Sequence, residues 1–281
     1  MQKINIIGAG RVGKSLARLF FDKQIFEIAQ VYTRSAETNL AVLKWIGAGV
    51  GVTQLAHIKP CDITLLAVPD DQLAEITLAL VNAKGLASNG VLFHCSGSQS
   101  SADLLTQVPA LKQLNIQLAS VHPVRSFADP ESVVRDFANS ICSIEGSVQA
   151  LQILEPAFVG IGAQLLKIDP DSKMLYHAAS VFASNYLVTL MDIAIDAYCA
   201  AGVPVESAHK MAQALAGKSL ENVFSLGTAS ALTGPIKRGD MKTVARQHGV
   251  VAAWDAERGA VYQAFIEPTL YLARKMGREN Q

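Results

Sequence analysis

The stretch INIIGAGRVGKSLARLF, residues 4–20, decides how the rest of the chain is read. It sets Gly8, Gly10 and Gly13 in a G-x-G-x-x-G between an apolar strand and the start of a helix. Each glycine answers a separate steric demand. Gly8 permits the tight turn, Gly10 lets backbone approach a pyrophosphate, and Gly13 lets helix and strand pack closely. The helix N-terminus then offers free N–H groups to phosphate oxygens. On this reading Gly8, Ala9, Gly10, Arg11, Val12 and Gly13 line a dinucleotide site.

Outward from this turn the chain alternates. Short apolar runs (INII, FEIAQVY, DITLLAV, GVLFHC, IQLASV, NSICSI, AQLLKI) are separated by segments of helical length up to residue 168. That alternation predicts an α/β architecture: a Rossmann-type, doubly wound, mainly parallel sheet. After Asp169 the strand signal stops. Residues 170–202, 206–226 and 240–276 have helical periodicity and are broken by AGVP and LTGPIKRGD. The expected domains are therefore 1–168, dinucleotide-binding, and 169–281, an all-α C-terminal domain.

The end of the second strand selects the cofactor. An NAD site places Asp or Glu about 20 residues beyond the glycines, where it holds the ribose diol. Here the strand ends in Thr33, Arg34 and Ser35, and the nearest acid, Glu27, lies at the wrong end. An arginine between two hydroxyls suits a 2′-phosphate, which implies NADP(H). Later strand ends point into the same crevice: Ala67–Val68–Pro69, Ser96–Gly97 and His122–Pro123.

Residues 172–186, SKMLYHAASVFASNY, read as one helix opened by Asp169, Pro170 and Asp171. Lys173, His177, Ser184 and Asn185 share one stripe of it, about 120° wide at roughly 100° per residue. Such a stripe faces either water or a polar cavity. His177 and His122 are candidate proton donors. Lys173 would polarise an oxygen or hold an anion, Asn185 orients a substrate, and Ser96 adds a hydrogen bond from the sheet. The blander alternatives are a solvated lysine, a helix histidine and a turn-shaping His-Pro pair.

The bulk composition removes other classes. With 24 basic and 24 acidic residues in 281, and no basic runs, nucleic acid is not an expected partner. Cys61, Cys95, Cys142 and Cys199 fit no zinc or thioredoxin spacing and are few enough in this length to predict reduced thiols, and the histidines have no metal-ligand spacing. No signal peptide is read at the N-terminus, and the apolar run Ala178–Met191 is too short to cross a bilayer. A cytoplasmic protein without a membrane partner is expected.

GAGRVG, AVPDD, HCSG and the helical second half resemble the 6-phosphogluconate dehydrogenase-like superfamily, which includes β-hydroxyacid dehydrogenases and pyrroline-5-carboxylate reductase. HPVRSF, KMLYHAASVFASNY, ALTGPIKRGD and TVARQH more closely resemble Rossmann-like proteins with a helical C-terminal domain of unknown function, of the DUF2520 type. The resemblance implies an NADP-binding fold and dimers and names no substrate. One departure stands out. The β-hydroxyacid dehydrogenase helix places Asn four residues after its Lys, whereas here Lys173 is followed at that spacing by His177.

Together these readings predict an NADP(H)-dependent reductase or dehydrogenase acting on a small polar, carboxylate-bearing carbonyl, imine or hydroxy compound. The alternative is a non-catalytic NADP(H)-binding sensor. The loop ALTGPIKRGD, 231–240, is expected to contribute Thr233, Gly234 and Arg238 to the substrate, with a capped interhelix turn as the plainer reading. Segments 174–202 and 208–226 carry more apolar residues than one helical face requires, which predicts a homodimer through the helical domain.

Overall fold

The computed structural model describes residues 1–279 and divides into two compact units, Met1–Ser184 and Asn185 onward. The first unit runs β1 (Lys3–Ile7), α1 (Arg11–Asp22), β2 (Glu27–Tyr32), α2 (Ala36–Ile46), β3 (Val50–Val52) and β4 (Ile63–Leu66). It continues with α3 (Leu73–Asn82), β5 (Val91–His94), α4 (Ser101–Gln107), α5 (Ala110–Gln113), β6 (Gln117–Pro123) and α6 (Pro130–Arg135). Then come β7 (Ile141–Gly146), α7 (Val148–Gly160), β8 (Gln164–Lys167) and α8 (Lys173–Ala183).

The eight strands form one sheet in the order β3-β2-β1-β4-β5-β6-β7-β8. Strands β1 to β6 are parallel; β7 pairs antiparallel with β6, and β8 runs parallel to β7. Chain direction along the sheet order reverses between β1 and β4, and ligands of doubly wound sheets bind beyond the carboxyl ends at that point. Alternation along the buried strands feeds two cores. On one face Ile4, Ile6, Leu65 and Phe93 pack with Leu16, Phe20 and Phe158. On the other, Ile7, Leu66 and Leu92 pack with Leu73, Leu80 and Leu104. Phe158 meets Phe20 and Phe93 edge-on at 5.6 and 5.9 Å between centroids, which ties α7 to both α1 and the sheet.

The second unit is helical: α9 (Asn185–Ala200), α10 (Val205–Leu226), α11 (Thr228–Ala231), α12 (Met241–Trp254) and α13 (Ala256–Glu279). Arg258 lies over the Trp254 ring at 4.6 Å and donates to Asp196 at 2.5 Å, joining α13 to α9.

Three boundaries differ from expectation. The single helix expected over 172–186 breaks at Ser184, whose backbone (φ −125°, ψ −71°) leaves the helical region. The division between units lies at 184/185 rather than 168/169, because α8 is anchored to the first unit's sheet through Lys173. The region 240–276 is two helices, and Asp255 accepts from the Arg258 backbone N–H at the start of the second. Within the helical stretch Pro170–Ala200 an 18-residue segment has a mean hydropathy of 1.5, long and apolar enough, by length and composition, to cross a membrane. That segment is longer than the uncharged run Ala178–Met191 read from the sequence, because a membrane-crossing segment admits up to two charged residues.

Candidate active site

The glycine turn is shaped as its spacing requires. Gly8 has φ +90°, and a Cβ there would lie 2.5 Å from the Ala67 carbonyl oxygen. A Cβ on Gly13 would strike the Gly8 carbonyl and approach the Ala67 Cβ to 2.8 Å. Gly10 differs, since a Cβ there would meet nothing within 4 Å. It is also the N-cap of α1, with no side chain capping the helix. Open space and uncapped N–H groups at a helix start together make a cradle for phosphate.

A cavity of about 570 Å³ opens on this turn. Gly8, Ala9 and Gly10 line it from β1–α1, Thr33, Arg34, Ser35 and Thr38 from β2–α2, and Ala67, Val68 and Pro69 from the end of β4. Arg11 lies instead on an adjoining cavity that shares Ala9, Gly10 and Thr38 and is floored by Trp45, with Lys14 above that ring at 5.4 Å. Val12 packs against the core behind the turn, and Gly13 is a packing position.

The hydroxyls beside Arg34 hold the turn. Thr33 Oγ1 donates to the Ser35 carbonyl at 2.9 Å, and Ser35 Oγ caps α2 by accepting from the Thr38 N–H at 3.2 Å. Arg34 is exposed and makes no ion pair among the described residues. Glu27, at the opposite end of β2, pairs with Lys3 at 3.3 Å.

A second cluster occupies the carboxyl ends of β4, β5 and β6. Asp70 accepts from Ser96 Oγ at 2.7 Å and from Ser98 Oγ at 2.5 Å. Ser96 Oγ in turn accepts from the backbone N–H groups of Ser98 and Gln99. The Ser96 hydroxyl thus fixes the loop after β5. His94, fully buried beneath, accepts from the Ser96 N–H, and burial pushes its imidazole down to about 4.

Lys173 is enclosed, with 1 % exposure. Its ammonium donates to Ser120 Oγ at 2.5 Å and lies 3.5 Å from Glu145 Oε1. Burial lowers its pKa, and the Glu145 carboxylate opposes that shift. Glu145 also accepts from the backbone N–H and hydroxyl of Ser101 at 2.9 and 2.6 Å, at the N-terminus of α4, where a negative charge is favoured. The sequence reading missed Glu145. Its signal was a polar alternation, Ser143 and Glu145, inside an otherwise apolar strand.

One turn beyond Lys173, the His177 ring lies 5.7 Å from that of His122, edge to face. His122 Nδ1 and Tyr176 Oη share a hydrogen bond of 3.0 Å. Both rings rest on Gly97: a Cβ there would come closest to His177 Nδ1 and would lie 2.9 Å from His122 Nε2 and Cε1. Burial, with His177 and Lys173 adding to it, holds His122 down at about 4, so this imidazole is neutral at physiological pH. Of the expected catalytic residues, His177, His122, Lys173 and Ser96 thus belong to one unit, with hydrogen bonds linking Lys173 through Ser120 to the Ser96 carbonyl. The sequence marks Gly97 only as part of a strand end in the crevice, and it gives Tyr176 no role of its own.

Asn185 starts α9 in the other unit and is exposed. Thr233, Gly234 and Arg238 occupy the turn before α12; Arg238 is exposed and its N–H donates to the Gly234 carbonyl at 3.3 Å. Asp240 caps α12 by accepting from the Thr243 N–H at 3.1 Å, so a carboxylate already sits at that helix start. Among the second unit's described residues, α9, α12 and α13 border an apolar cavity of about 640 Å³.

Three solved structures share the fold. A Bacteroides fragilis protein provisionally named an NADP oxidoreductase is 20% identical, with a TM-score of 0.79, over 96% of this chain and 98% of its own. A Thermotoga maritima protein is 23% identical, with a TM-score of 0.72, over 97% and 99%. An imine reductase from Myxococcus stipitatus, in complex with NADP+, is 16% identical, with a TM-score of 0.65, over 97% and 94%. No curated protein sequence matches the chain. Residues 1–123 match the Rossmann-like domain, and residues 140–269 match a domain of unknown function, DUF2520. The chain therefore joins a Rossmann-like domain to a DUF2520 domain.

Proposed function

We propose that the protein is an NADP(H)-dependent oxidoreductase. It transfers hydride between the nicotinamide and a small polar, carboxylate-bearing carbonyl, imine or hydroxy compound. The observation that carries the reading is the cavity on the glycine turn. It joins an open Gly10, an uncapped helix start and an exposed arginine at a strand end that lacks an acid. These residues fit a dinucleotide: Gly8, Ala9 and Gly10 face the pyrophosphate, and Arg34 meets the 2′-phosphate. The cofactor supplies the hydride, while the protein's own residues orient the substrate and handle one proton. His177 and His122 are the groups for that proton, and Ser96 fixes the loop beneath them. Arg238 is assigned to the substrate carboxylate.

The imine reductase fold-mate in complex with NADP+, and a Plasmodium falciparum pyrroline carboxylate reductase with NADP bound (TM-score 0.59, 15% identity), favour this chemistry for the shared fold. Large apolar side chains exposed along α8 and α10, among them Leu175, Leu215 and Phe224, favour a homodimer through these helices. The assigned compartment is the cytoplasm. The test has two arms. Fluorescence titration with NADPH and NADH should give tighter binding of NADPH. NADPH oxidation should then proceed with at least one member of a panel of keto acids, cyclic imines and hydroxy acids. Equal affinities reject the cofactor assignment. Tight NADPH binding with no turnover across the panel favours the sensor alternative.

A further inference from the structure

His177 Nδ1 is buried and has no hydrogen-bond partner. A buried nitrogen left unpaired costs free energy, so this orphan calls for a physical account. Its neighbour over Gly97 is His122, whose Nε2 approaches the same point. The other nitrogen of His122 is engaged by Tyr176. Beyond the phenol, Ser143 stands directly opposite His122 in the β6–β7 register. Its Oγ is a second buried orphan, within interacting range of Tyr176 but outside hydrogen-bond geometry. Four polar groups therefore run in a row, with an unpaired atom at each end. His177 Nε2 is not enclosed and makes no hydrogen bond among the described residues.

We propose that His122 is a positioning residue that holds His177 in the tautomer protonated at Nδ1, so that His177 Nε2 is the atom that exchanges the proton with the substrate. The row then has one direction. His177 Nδ1–H donates to His122 Nε2, His122 Nδ1–H donates to Tyr176 Oη, and the Tyr176 hydroxyl donates to Ser143 Oγ. Both orphans are satisfied. In reduction, hydride passes from the nicotinamide to the substrate carbon, and the proton on His177 Nε2 passes to the substrate oxygen or nitrogen. His177 goes from imidazolium to neutral imidazole, and solvent returns the proton at Nε2. Oxidation reverses both transfers.

No buried proton moves in either direction. With the row reversed, a charged His177 would set its Nδ1–H against the Nε2–H of His122 over Gly97. His122 suits the accepting role because burial keeps it neutral, and Tyr176, whose pKa burial raises, stays a phenol. The charged groups acting on His122 are Lys173 from α8 and Asp70 from the end of β4. Lys173 is already spent on Glu145 and Ser120, and Asp70 on Ser96 and Ser98, which leaves His177 as the group that cycles.

This assignment of roles rests on the oxidoreductase reading, but its test does not need the substrate. Ring ¹⁵N spectra of full-length, histidine-labelled protein at pH 8, with and without NADPH, report each tautomer. The expected result is Nδ1–H on both His122 and His177. In His122→Leu, His177 should shift to Nε2–H, with its Nδ1 signal moving from the pyrrole-like to the pyridine-like range. In His122→Gln the amide oxygen replaces the acceptor and Nδ1–H should persist. Nε2–H on His177 in the wild type overturns the proposal, as does an unchanged His177 spectrum in folded His122→Leu. If that variant fails to fold, the wild-type spectrum decides alone. NADPH binding is read separately by titration, so a failure of the reductase reading stays distinguishable.

Discussion

Replacing Lys173 by methionine removes one ammonium group and keeps most of the side-chain volume. The ammonium is within 3.5 Å of Glu145 Oε1 and 2.5 Å of Ser120 Oγ, and both partners of the ion pair have 3 % side-chain exposure or less. In the variant, Glu145 keeps only the two hydrogen bonds from Ser101 and becomes an uncompensated buried carboxylate. Breaking one side of a buried pair costs about 3–5 kcal/mol. For a unit of Met1–Ser184, each kcal/mol is worth about 2–4 °C in melting temperature, so a fall of about 6–20 °C is expected. Scanning calorimetry on the transition that carries the sheet reads this directly. Adding Glu145→Gln removes the stranded charge, so the double variant should recover most of the loss. A single variant melting within about 2 °C of wild type would refute the reasoning and return Lys173 to the solvent-facing or substrate-facing roles that its sequence position also allows.

Three further outcomes are expected. His94 and His122 are held down at about 4 in the folded protein, against 6.5 for an unperturbed histidine. The unfolded chain thus takes up these protons first, and stability falls as pH drops from about 6.5 to about 4, by up to about 1.4 kcal/mol per pH unit for each. Urea midpoints that stay flat between pH 7 and 5 contradict this. Arg34→Ala should weaken NADPH binding about tenfold to a hundredfold while NADH binding stays put, the loss of one charge-assisted contact of about 1.5–3 kcal/mol; an unchanged preference by titration rules that contact out. Gly97→Ala should cost about 1–3 kcal/mol and displace both imidazoles, because the added carbon enters their space. A crystal structure of the variant with both rings unmoved would dispose of the argument.

What the sequence made legible was whatever depends on neighbours in the chain. Gly8 and Gly13 announce a strand-turn-helix because no other residue fits those backbone contacts. Strand β3 went unread because three residues with a central glycine carry no alternation. The antiparallel β7 was hidden because its pairing with β6 depends on a return through α6, and nothing local reports it. The polar stripe of α8 pointed to His177. Lys173's partner, however, lies on a different strand, so the difference between a buried anchor and a solvated lysine was invisible. The break at Ser184 was equally silent, since serine is tolerated within a helix.

Helix α8 runs beside β6 in a way that makes the two elements measure each other. Lys173 meets Ser120, and one turn later Tyr176 and His177 meet His122, two residues along the strand. Four helical residues advance about 6 Å and two strand residues about 6.6 Å, so the two rulers coincide over this interval. A residue inserted between Lys173 and His177 would swing the second histidine about 100° around the helix. One inserted between Ser120 and His122 would turn the first to the opposite face of the sheet. Length changes here are therefore all-or-none, while the loop between β8 and α8 can vary without altering which side chains coincide.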